Sequence, residues 1–255
     1  MPTRETVPIG APCWIELTTS APGHGCHFYT ELFGWTTADE PQLGSDMHFR
    51  KDGLPIAGYR IRPPGPSAAG AWTVYLTCDD AAQTVASAVP NGGQVAVPAT
   101  EVGDLGVIAV TLDPGGAVIG AWQPRKHQGF AVYGELGSPT WFELHTRDYD
   151  RVVPFYRGAF RWNAQTVSDT PEFRLTTIGA GDERLAGIMD ATHYLPSDIP
   201  SYWEVYFAVA DTDLALSRVT KLGGSVLGPA YDTPFGRLAP VSDPTGARFK
   251  LVGQS

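Results

Sequence analysis

Two short segments of the chain carry the residue types that general acid–base chemistry needs. They read WIELT at residues 14–18 and WFELH at residues 141–145. Because alternate residues of a β-strand share a face, Glu16 would lie beside Thr18, and Glu143 beside His145. A carboxylate next to an imidazole can accept and return a proton, which makes Glu143 and His145 candidate catalytic residues. A structural interpretation is also open, with both glutamates tied to Tyr, Trp or backbone donors and His145 a hydrogen-bonded strand residue.

These segments belong to a repeat that runs through nearly the whole chain. Trp14, Phe28-Tyr29 and Trp35 return as Trp141, Phe155-Tyr156 and Trp162, a constant spacing of 127 residues. Later landmarks return in the same order: IAG at 56 as LAG at 185, WTVY at 72 as WEVY at 203, GG at 92 and 223, and DPGG at 113 as DPTG at 243. A unit this long is not a solenoid repeat of roughly 20–50 residues, so it predicts a duplicated domain.

The duplication predicts the domain organisation. We expect a first domain at residues 1–125, a linker at 126–136 and a second domain at 137–255. The stretch 123–129 is polar and contains Pro and Gly, which suits a linker, and the alternating residues 130–136 could add an edge strand before the second domain.

The apolar periodicity and the turn residues predict the same elements in each copy. In the first copy, helices are expected at 22–33 and 79–89, with Gly34 ending the first and Asp79 or Asp80 capping the second. Strands are expected at 13–18, 35–38, 47–51, 54–61, 72–78, 94–97, 107–112 and 117–122. Each domain is therefore β-α-β-β-β written twice, an α+β architecture.

Composition and charge limit the classes of molecule that the protein is expected to bind. The chain has 255 residues, 43% of them hydrophobic and 18% charged, which is typical of globular domains. Its net charge of -9 argues against nucleic acid and anionic membranes as partners. The lack of a long apolar run or an N-terminal signal leads us to expect a cytoplasmic protein, monomeric or homodimeric. Three cysteines in the first copy are expected to be buried free thiols.

Taken together, these motifs resemble the vicinal oxygen chelate superfamily, which includes glyoxalases, bleomycin-resistance proteins and extradiol dioxygenases. The resemblance rests on FYTELFGW at 28–35 and its copy FYRGAFRW at 155–162, on the Gly-Gly pairs after each second helix, and on the Asp-Pro-x-Gly turns. It covers about residues 10–123 and 137–252, and the chain looks most like tandem two-domain actinobacterial members called hydroxylases or glyoxalase-like proteins. The implied fold pairs two βαβββ units into one cup-shaped sheet per domain, with the pocket inside the cup.

The resemblance also implies where metal-dependent members hold their ion. Those positions fall on Trp14, Thr73 and Gly120 in the first copy, and on Trp141, Glu204 and Lys250 in the second. Indole, glycine and ammonium groups do not bind transition metals, so no metal site and no other cofactor is predicted. A divalent metal would need a non-standard set such as His145, Glu143 and Glu204.

Strand alternation extends these positions to the lining of each cup. The first lining is aromatic with hydroxyls and one carboxylate: Trp14, Glu16, Thr18, Thr73, Tyr75, Thr77, Val118, Gly120 and Trp122. The second is strongly polar: Trp141, Glu143, His145, Glu204, Tyr206, Ala208, Arg248, Lys250 and Val252.

Within these linings we assign candidate roles. The candidate catalytic residues are Glu143, His145 and Glu204. The candidate substrate-binding residues are Trp14, Glu16, Tyr75, Trp122, Trp141, Tyr206 and Lys250. An alternative for Glu204 is a cross-sheet ion pair with Lys250 or Arg248.

Three histidine-bearing segments lie outside these sets. His24 and His27 have helical i,i+3 spacing, but without a third ligand we expect them to face solvent. His193 lies on a loop that could cover the second cup, and residues 47–49 could form the rim of the first cup.

Two functions fit this sequence. In the first, the protein is an enzyme whose Glu143 and His145 move protons on a small aromatic, quinone or carbonyl substrate, while Lys250 or Arg248 stabilises an enolate or phenolate. Isomerase, lyase and cofactor-independent oxygenase reactions all fit. In the second, the protein binds or sequesters a small molecule without metal or turnover, as drug-resistance proteins do.

Overall fold

The computed structural model describes residues 7–38, 47–63, 69–179 and 181–253. Four helices are present in these ranges: α1 (Pro22–Phe33), α2 (Ala81–Ala88), α3 (Tyr149–Ala159) and α4 (Thr212–Lys221). The strands of the first half are β1 (Pro12–Thr19), β2 (Thr36–Ala38), β3 (Met47–Lys51), β4 (Leu54–Ile61), β5 (Ala71–Thr77), β6 (Gln94–Val102), β7 (Gly106–Leu112) and β8 (Val118–Pro124). Those of the second half are β9 (Pro139–Thr146), β10 (Ala164–Asp169), β11 (Arg174–Ile178), β12 (Ala186–Asp190), β13 (Tyr202–Val209), β14 (Ser225–Val226), β15 (Tyr231–Thr233), β16 (Gly236–Ser242) and β17 (Arg248–Gly253).

The strands form two sheets of the same topology. The first has the order β2-β3-β4-β1-β5-β8-β7-β6, and the second β10-β11-β12-β9-β13-β17-β16-β14, with β15 beside β16. In each sheet two β-α-β-β-β units join where their first strands pair antiparallel, β1 with β5 and β9 with β13. The predicted α+β fold of two tandem cup-shaped sheets is confirmed. We call the concave faces of the first and second sheets the first cup and the second cup.

Local chemistry explains why the helices begin and end where they do. Pro22 opens α1, and Gly34 ends it in the left-handed region at φ 72°, with its N–H bonded to the carbonyl of Thr30. Asp80 caps α2 by accepting from the N–H of Gln83 at 2.9 Å, and Asp211 caps α4 in the same way. The first helix has the predicted bounds, and the second is shorter than predicted.

Two strand predictions need correction. Residues 126–136 form no strand: Gly129 and Gly134 have φ values of 113° and 75°, which break an extended course. Within this segment Phe130 packs flat against Phe142, with ring centroids 5.9 Å apart. Strand β6 continues to Val102, beyond the predicted end at residue 97, because two bulges, one before Val97 and one that contains Pro98, let it stay paired with β7.

The helices pack between the two halves and join them reciprocally. On α1, Phe28 and Phe33 contact Phe249 and Phe207 of the second sheet at ring centroid distances of 5.0–6.2 Å. In the reverse direction, α3 packs against α2 of the first half. The convex face of each sheet is therefore covered by elements of both halves.

Matched hydrogen bonds accompany this packing. Trp35 donates from its indole to the carbonyl of Gly137 at 2.7 Å, and its counterpart Trp162 donates to the carbonyl of Gly10 at 2.8 Å. Trp72 and Trp203 alternate with the cup residues of their strands and lie under the helices, where each indole donates to a helix tyrosine. The concave faces are left to form the cups.

The cysteines and the lengths of the helices can be compared with the sequence. Cys13 and Cys78 are buried and Cys26 is half-buried, and all three are free thiols. None of the helices in the described ranges is long and apolar enough to cross a bilayer.

Candidate functional site

The second cup brings its predicted polar residues together on adjacent strands. Glu143 on β9 lies directly opposite Glu204 on β13, and Tyr206 lies opposite Lys250 on β17. Cross-strand neighbours share a face, so all four project into the cup. Glu143, Glu204 and Lys250 are only 8%, 2% and 9% exposed, and His145 only 3%. Their charges therefore act in a medium of low dielectric.

Glu143 is held by donors on both carboxylate oxygens. Tyr206 donates its hydroxyl to Oε1 at 2.9 Å, and Trp141 donates its indole N–H to Oε2 at 3.2 Å. Lys250 in turn donates to the hydroxyl of Tyr206 at 2.9 Å. An ammonium, a phenol and a carboxylate therefore form one chain of hydrogen bonds, in which Lys250 polarises the phenol.

His145 lies at the junction of the two carboxylates. Its Nε2 is 3.4 Å from Oε1 of Glu143 and 3.5 Å from Oε2 of Glu204, and its Nδ1 is 2.6 Å from the hydroxyl of Tyr194. The same nitrogen also lies 3.5 Å from the ammonium of Lys250, but two carboxylates against one ammonium favour the hydrogen on Nε2, so Nδ1 accepts from Tyr194. Burial, together with Lys250 and Arg248, lowers the pKa of His145 well below its usual range. The imidazole is therefore neutral at neutral pH.

Glu204 and Lys250 form the ion pair that was one of the two interpretations of Glu204. Lys250 Nζ lies 3.3 Å from Glu204 Oε2. Glu204 Oε1 has no hydrogen-bond partner among the described residues. Burial raises the pKa of Glu204, and Lys250 opposes that rise. Arg248 does not join the pair; its guanidinium lies 5.5 Å from the ring centroid of Tyr202.

A loop between β12 and β13, residues 191–201, closes over the second cup; we call it the cover loop. The guanidinium of Arg147 donates to its carbonyls at Ile199 (2.8 Å) and Ser197 (3.1 Å), and also to that of Pro196. A loop over this cup was predicted around His193, but His193 is exposed and bonds to the carbonyl of Pro171. Tyr194, although 55% exposed, is the residue of this loop whose hydroxyl reaches a cup side chain, His145. Tyr194 and Arg147 both lie outside the strands, so strand alternation in the sequence did not indicate that they hold the loop on the cup.

The first cup contains a different constellation around Glu16. Arg60 on β4 donates from Nε to Oε1 at 2.9 Å and from Nη2 to Oε2 at 3.1 Å, and Tyr75 lies 3.4 Å from Oε1. A two-bond guanidinium–carboxylate pair of this kind orients both partners. Sequence analysis missed Arg60, although it shares a face with Thr18, its register partner on β1. The structural interpretation of Glu16 therefore has a specific partner.

Aromatic rings line the rest of the first cup. Trp14 lies 4.6 Å from the ring of His127 and 6.0 Å from that of His48, measured between centroids. Trp122 donates its indole N–H to the carbonyl of His127 at 2.9 Å. The expectation that residues 47–49 form a rim is wrong for His48 and Phe49, both fully buried. His24 and His27 face solvent, as expected.

The residues at the implied metal positions do not fit a metal ion. In the second cup Lys250 brings a cation to one position and pairs with the carboxylate at another. In the first cup Gly120 packs against the ring of Tyr75 so closely that a Cβ there would lie 2.1 Å from it. Within the described ranges, no three His, Cys, Asp or Glu side chains are arranged to hold a metal.

Fold and cups together define a class of protein. The family model "Glyoxalase/Bleomycin resistance protein/Dioxygenase superfamily" matches residues 13–120 and 138–251. The chain belongs to this superfamily, as a tandem member with one glyoxalase-type unit in each half.

Relatives of known name extend over the whole chain. CFP32 of Mycobacterium bovis, provisionally named a glyoxylase, is 33% identical over 99% of this chain and 98% of its own length. The anthracycline biosynthesis protein DnrV of Streptomyces peucetius is 34% identical over 95% of this chain and 93% of its own.

Solved structures share the fold at low sequence identity. The Mn(II)-bound glyoxalase of Novosphingobium aromaticivorans has a TM-score of 0.65 at 14% identity, covering 96% of this chain and 82% of its own. The 2,3-dioxygenase LapB of Pseudomonas sp. KL28 also has a TM-score of 0.65 at 14% identity, covering 97% and 93%.

Proposed function

We propose that the protein is an enzyme that performs proton-transfer chemistry on a small carbonyl-bearing or aromatic molecule in the second cup. The observation that carries the proposal is the buried chain from Lys250 through Tyr206 to Glu143, with His145 within 3.4 Å of the same carboxylate oxygen. A proton acceptor, a polarised hydroxyl and a neutral imidazole are the groups that general acid–base catalysis requires.

Each group has a defined part in the proposed reaction. Glu143 takes a proton from a carbon or hydroxyl next to the substrate carbonyl, and negative charge develops on the substrate oxygen. Tyr206, polarised by Lys250, donates its hydroxyl to that oxygen and stabilises the enolate or phenolate. His145, whose Nε2–H faces Glu143, takes the hydroxyl proton of the substrate at Nδ1 and delivers it to the neighbouring oxygen. Glu143 then returns its own proton at a second carbon, which completes an isomerisation, or at a leaving group, which completes an elimination. Trp141 supplies an aromatic wall for the substrate.

The substrate class is supported by the cover loop and by the relatives. Tyr194 places a phenol hydroxyl 2.6 Å from His145 Nδ1, so the cup accommodates such a group. A substrate that enters must displace Tyr194 and can replace it with its own phenol or enol. Two full-length relatives are named for anthracycline biosynthesis and as a glyoxylase, which points to aromatic polyketides or to smaller carbonyl compounds.

Conservative variants of the two proton carriers test the proposal. Glu143→Gln and His145→Gln keep shape but lose proton transfer, so turnover should fall by about 10²–10⁴-fold in each. Exposed residues supply the controls, Glu172→Gln and His24→Gln, and their rates should match the wild type. The measurement is product formation from a panel of hydroxyquinones and 2-oxoaldehydes. Unchanged rates in both cup variants would end the proposal.

A second candidate function is binding without turnover. It is favoured by the pairing of Glu143, Tyr206 and Lys250 with one another and by the unsuitable metal positions. Quenching of Trp fluorescence by the same panel would detect binding, and chromatography of the mixtures would detect products. Saturable quenching with no product beyond that made by Glu143→Gln assigns the protein to this second function.

A further inference from the structure

His48 in the first cup is a buried polar residue that the fold leaves unpaired. Its ring is 0% exposed, and neither Nδ1 nor Nε2 has a hydrogen-bond partner among the described residues. Buried polar groups in native proteins nearly always have partners, so an orphaned ring calls for an explanation. Burial and the neighbouring His127 lower the pKa of His48 to about 4, so the ring is neutral and presents one donor and one acceptor.

The strand register directs this ring into the cup. His48 on β3 lies opposite Gly58 on β4, and Gly58 lies opposite Glu16 on β1. Members of such a row share a face, so His48 and Glu16 project into the same cup. Because the residue between them is glycine, no Cβ stands between His48 and Glu16 in this row.

A second unpaired imidazole faces the same aromatic wall. His127 Nε2 is buried and has no partner in the described part of the chain, and burial lowers its pKa to about 4. Its ring meets the indole of Trp14 edge to face at 4.6 Å and lies 5.6 Å from Trp122. Two neutral imidazoles therefore lie beside the indole of Trp14, His127 at 4.6 Å and His48 at 6.0 Å between ring centroids.

From this arrangement we infer that the first cup is a separate binding site for an uncharged aromatic molecule that carries a hydroxyl group. The hydroxyl donates to one imidazole and accepts from the other, and the ring packs on Trp14 and Trp122. The charges of Glu16 and Arg60 cancel in their ion pair, so this pair does not favour a charged ligand in the cup. The inference gives the first cup a function of its own and does not depend on catalysis in the second.

Direct binding of 2-naphthol tests the inference, with naphthalene as the probe that lacks the hydroxyl. A pair of hydrogen bonds should make 2-naphthol bind at least ~10-fold more tightly than naphthalene, as measured by titration calorimetry. His48→Phe should remove that difference while naphthalene binding changes by less than about 2-fold, since Phe keeps the aromatic volume. The matched control is His24→Phe on the exposed face of α1.

Histidine-selective ¹⁵N NMR of the wild-type chain gives a readout that does not require the variant to fold. Addition of 2-naphthol should shift the ring nitrogens of His48 and His127, with or without EDTA. Unmoved resonances, equal affinity for both probes, or shifts that appear only with a divalent cation would each overturn the inference. His145 and product formation report on the second cup separately, so failure here leaves the response of turnover to Glu143→Gln unaffected.

Discussion

Lys250 controls the charge of the second cup. It lies within 3.3 Å of one buried carboxylate and bonds to the phenol that supports the other. Truncating one member of a buried pair leaves the other charge without compensation, which costs more than the pair itself contributes.

The variant Lys250→Met should therefore lower the free energy of unfolding by about 3 kcal/mol, measured by urea denaturation. The double variant Glu204→Gln/Lys250→Met should recover much of this loss, because the buried carboxylate of Glu204 is then no longer left without its partner. Lys126→Met, which breaks an exposed ion pair with Asp104, is the matched control and should be nearly neutral. A double variant as unstable as Lys250→Met would contradict this account.

At the residue level, sequence analysis found the strand positions of the second cup and missed the groups that reach the cups by other routes. Glu143, Glu204 and Lys250 could be predicted from the sequence, because strand alternation is regular and the register keeps them on one face. Tyr194 and His127 come from irregular segments whose course depends on tertiary packing. Their entry into the cups has no counterpart in local sequence periodicity.

Among the elements, the cover loop is the one on which access to the second cup depends. Arg147 holds it by donating to several of its carbonyls, and Tyr194 holds it through His145. The residues between strands β12 and β13 form turns and irregular backbone, so the hydrogen bonds from Arg147 are a main contribution to holding this loop in one conformation.

Replacing Arg147 by Met should release the cover loop without altering the cup floor. Loss of charge-assisted hydrogen bonds worth about 1.5–3 kcal/mol predicts roughly 10–100-fold faster amide exchange across residues 191–199. Hydrogen–deuterium exchange with mass spectrometry measures this directly. Arg151→Met is the control, since Arg151 is exposed and pairs with Asp148 on its own helix. Equal exchange in the wild type and both variants would show that the loop is held by other contacts.

Helices and strands were predicted best where a chemical marker sets a boundary. Gly34 and Pro22 bound α1 as expected, because each residue has a conformational preference that acts locally. The segment 126–136 has an alternating pattern but no strand partner, and positive-φ glycines divert it. An alternating pattern predicts a strand only where a neighbouring strand can pair with it.

For the whole molecule, Asp113 connects stability to pH across the two halves. It accepts from the N–H groups of Gly115 and Ala117 within its turn, and from the hydroxyl of Tyr156 in the other half at 3.1 Å. Burial raises its pKa from 3.8 to about 6. A carboxyl with a raised pKa binds its proton more tightly in the folded state, so its contribution to stability is present at low pH and is lost as pH rises through 6.

The variant Asp113→Asn should remove this dependence. Relative to the variant, the wild type should lose about 3 kcal/mol of unfolding free energy between roughly pH 4 and pH 7. Urea denaturation at several pH values gives the two curves, and Asp198→Asn on the exposed cover loop serves as control. If the stability curves of the wild type and Asp113→Asn run parallel over this pH range, burial does not raise the pKa of Asp113 and the account is wrong.

The repeat in the sequence showed that the chain has two similar halves, but it did not show how the two halves contact each other. Landmark residues such as Tyr29 and Tyr156 are typical of the family's first helix, yet each also bonds to an aspartate of the opposite half, Tyr29 to Asp243 and Tyr156 to Asp113. Contacts between copies leave no periodic signal in either one. The reciprocal arrangement therefore became apparent only from the three-dimensional structure.

The exchange of helix contacts means that neither half covers its own aromatic surface. Taken alone, the first half would expose the surface that Phe28 and Phe33 bury against Phe249 and Phe207. Such a surface favours self-association, so an isolated half is expected to pair with an identical copy. Joined in one polypeptide, the two halves meet this requirement for each other, and their concave faces are free to carry different residues.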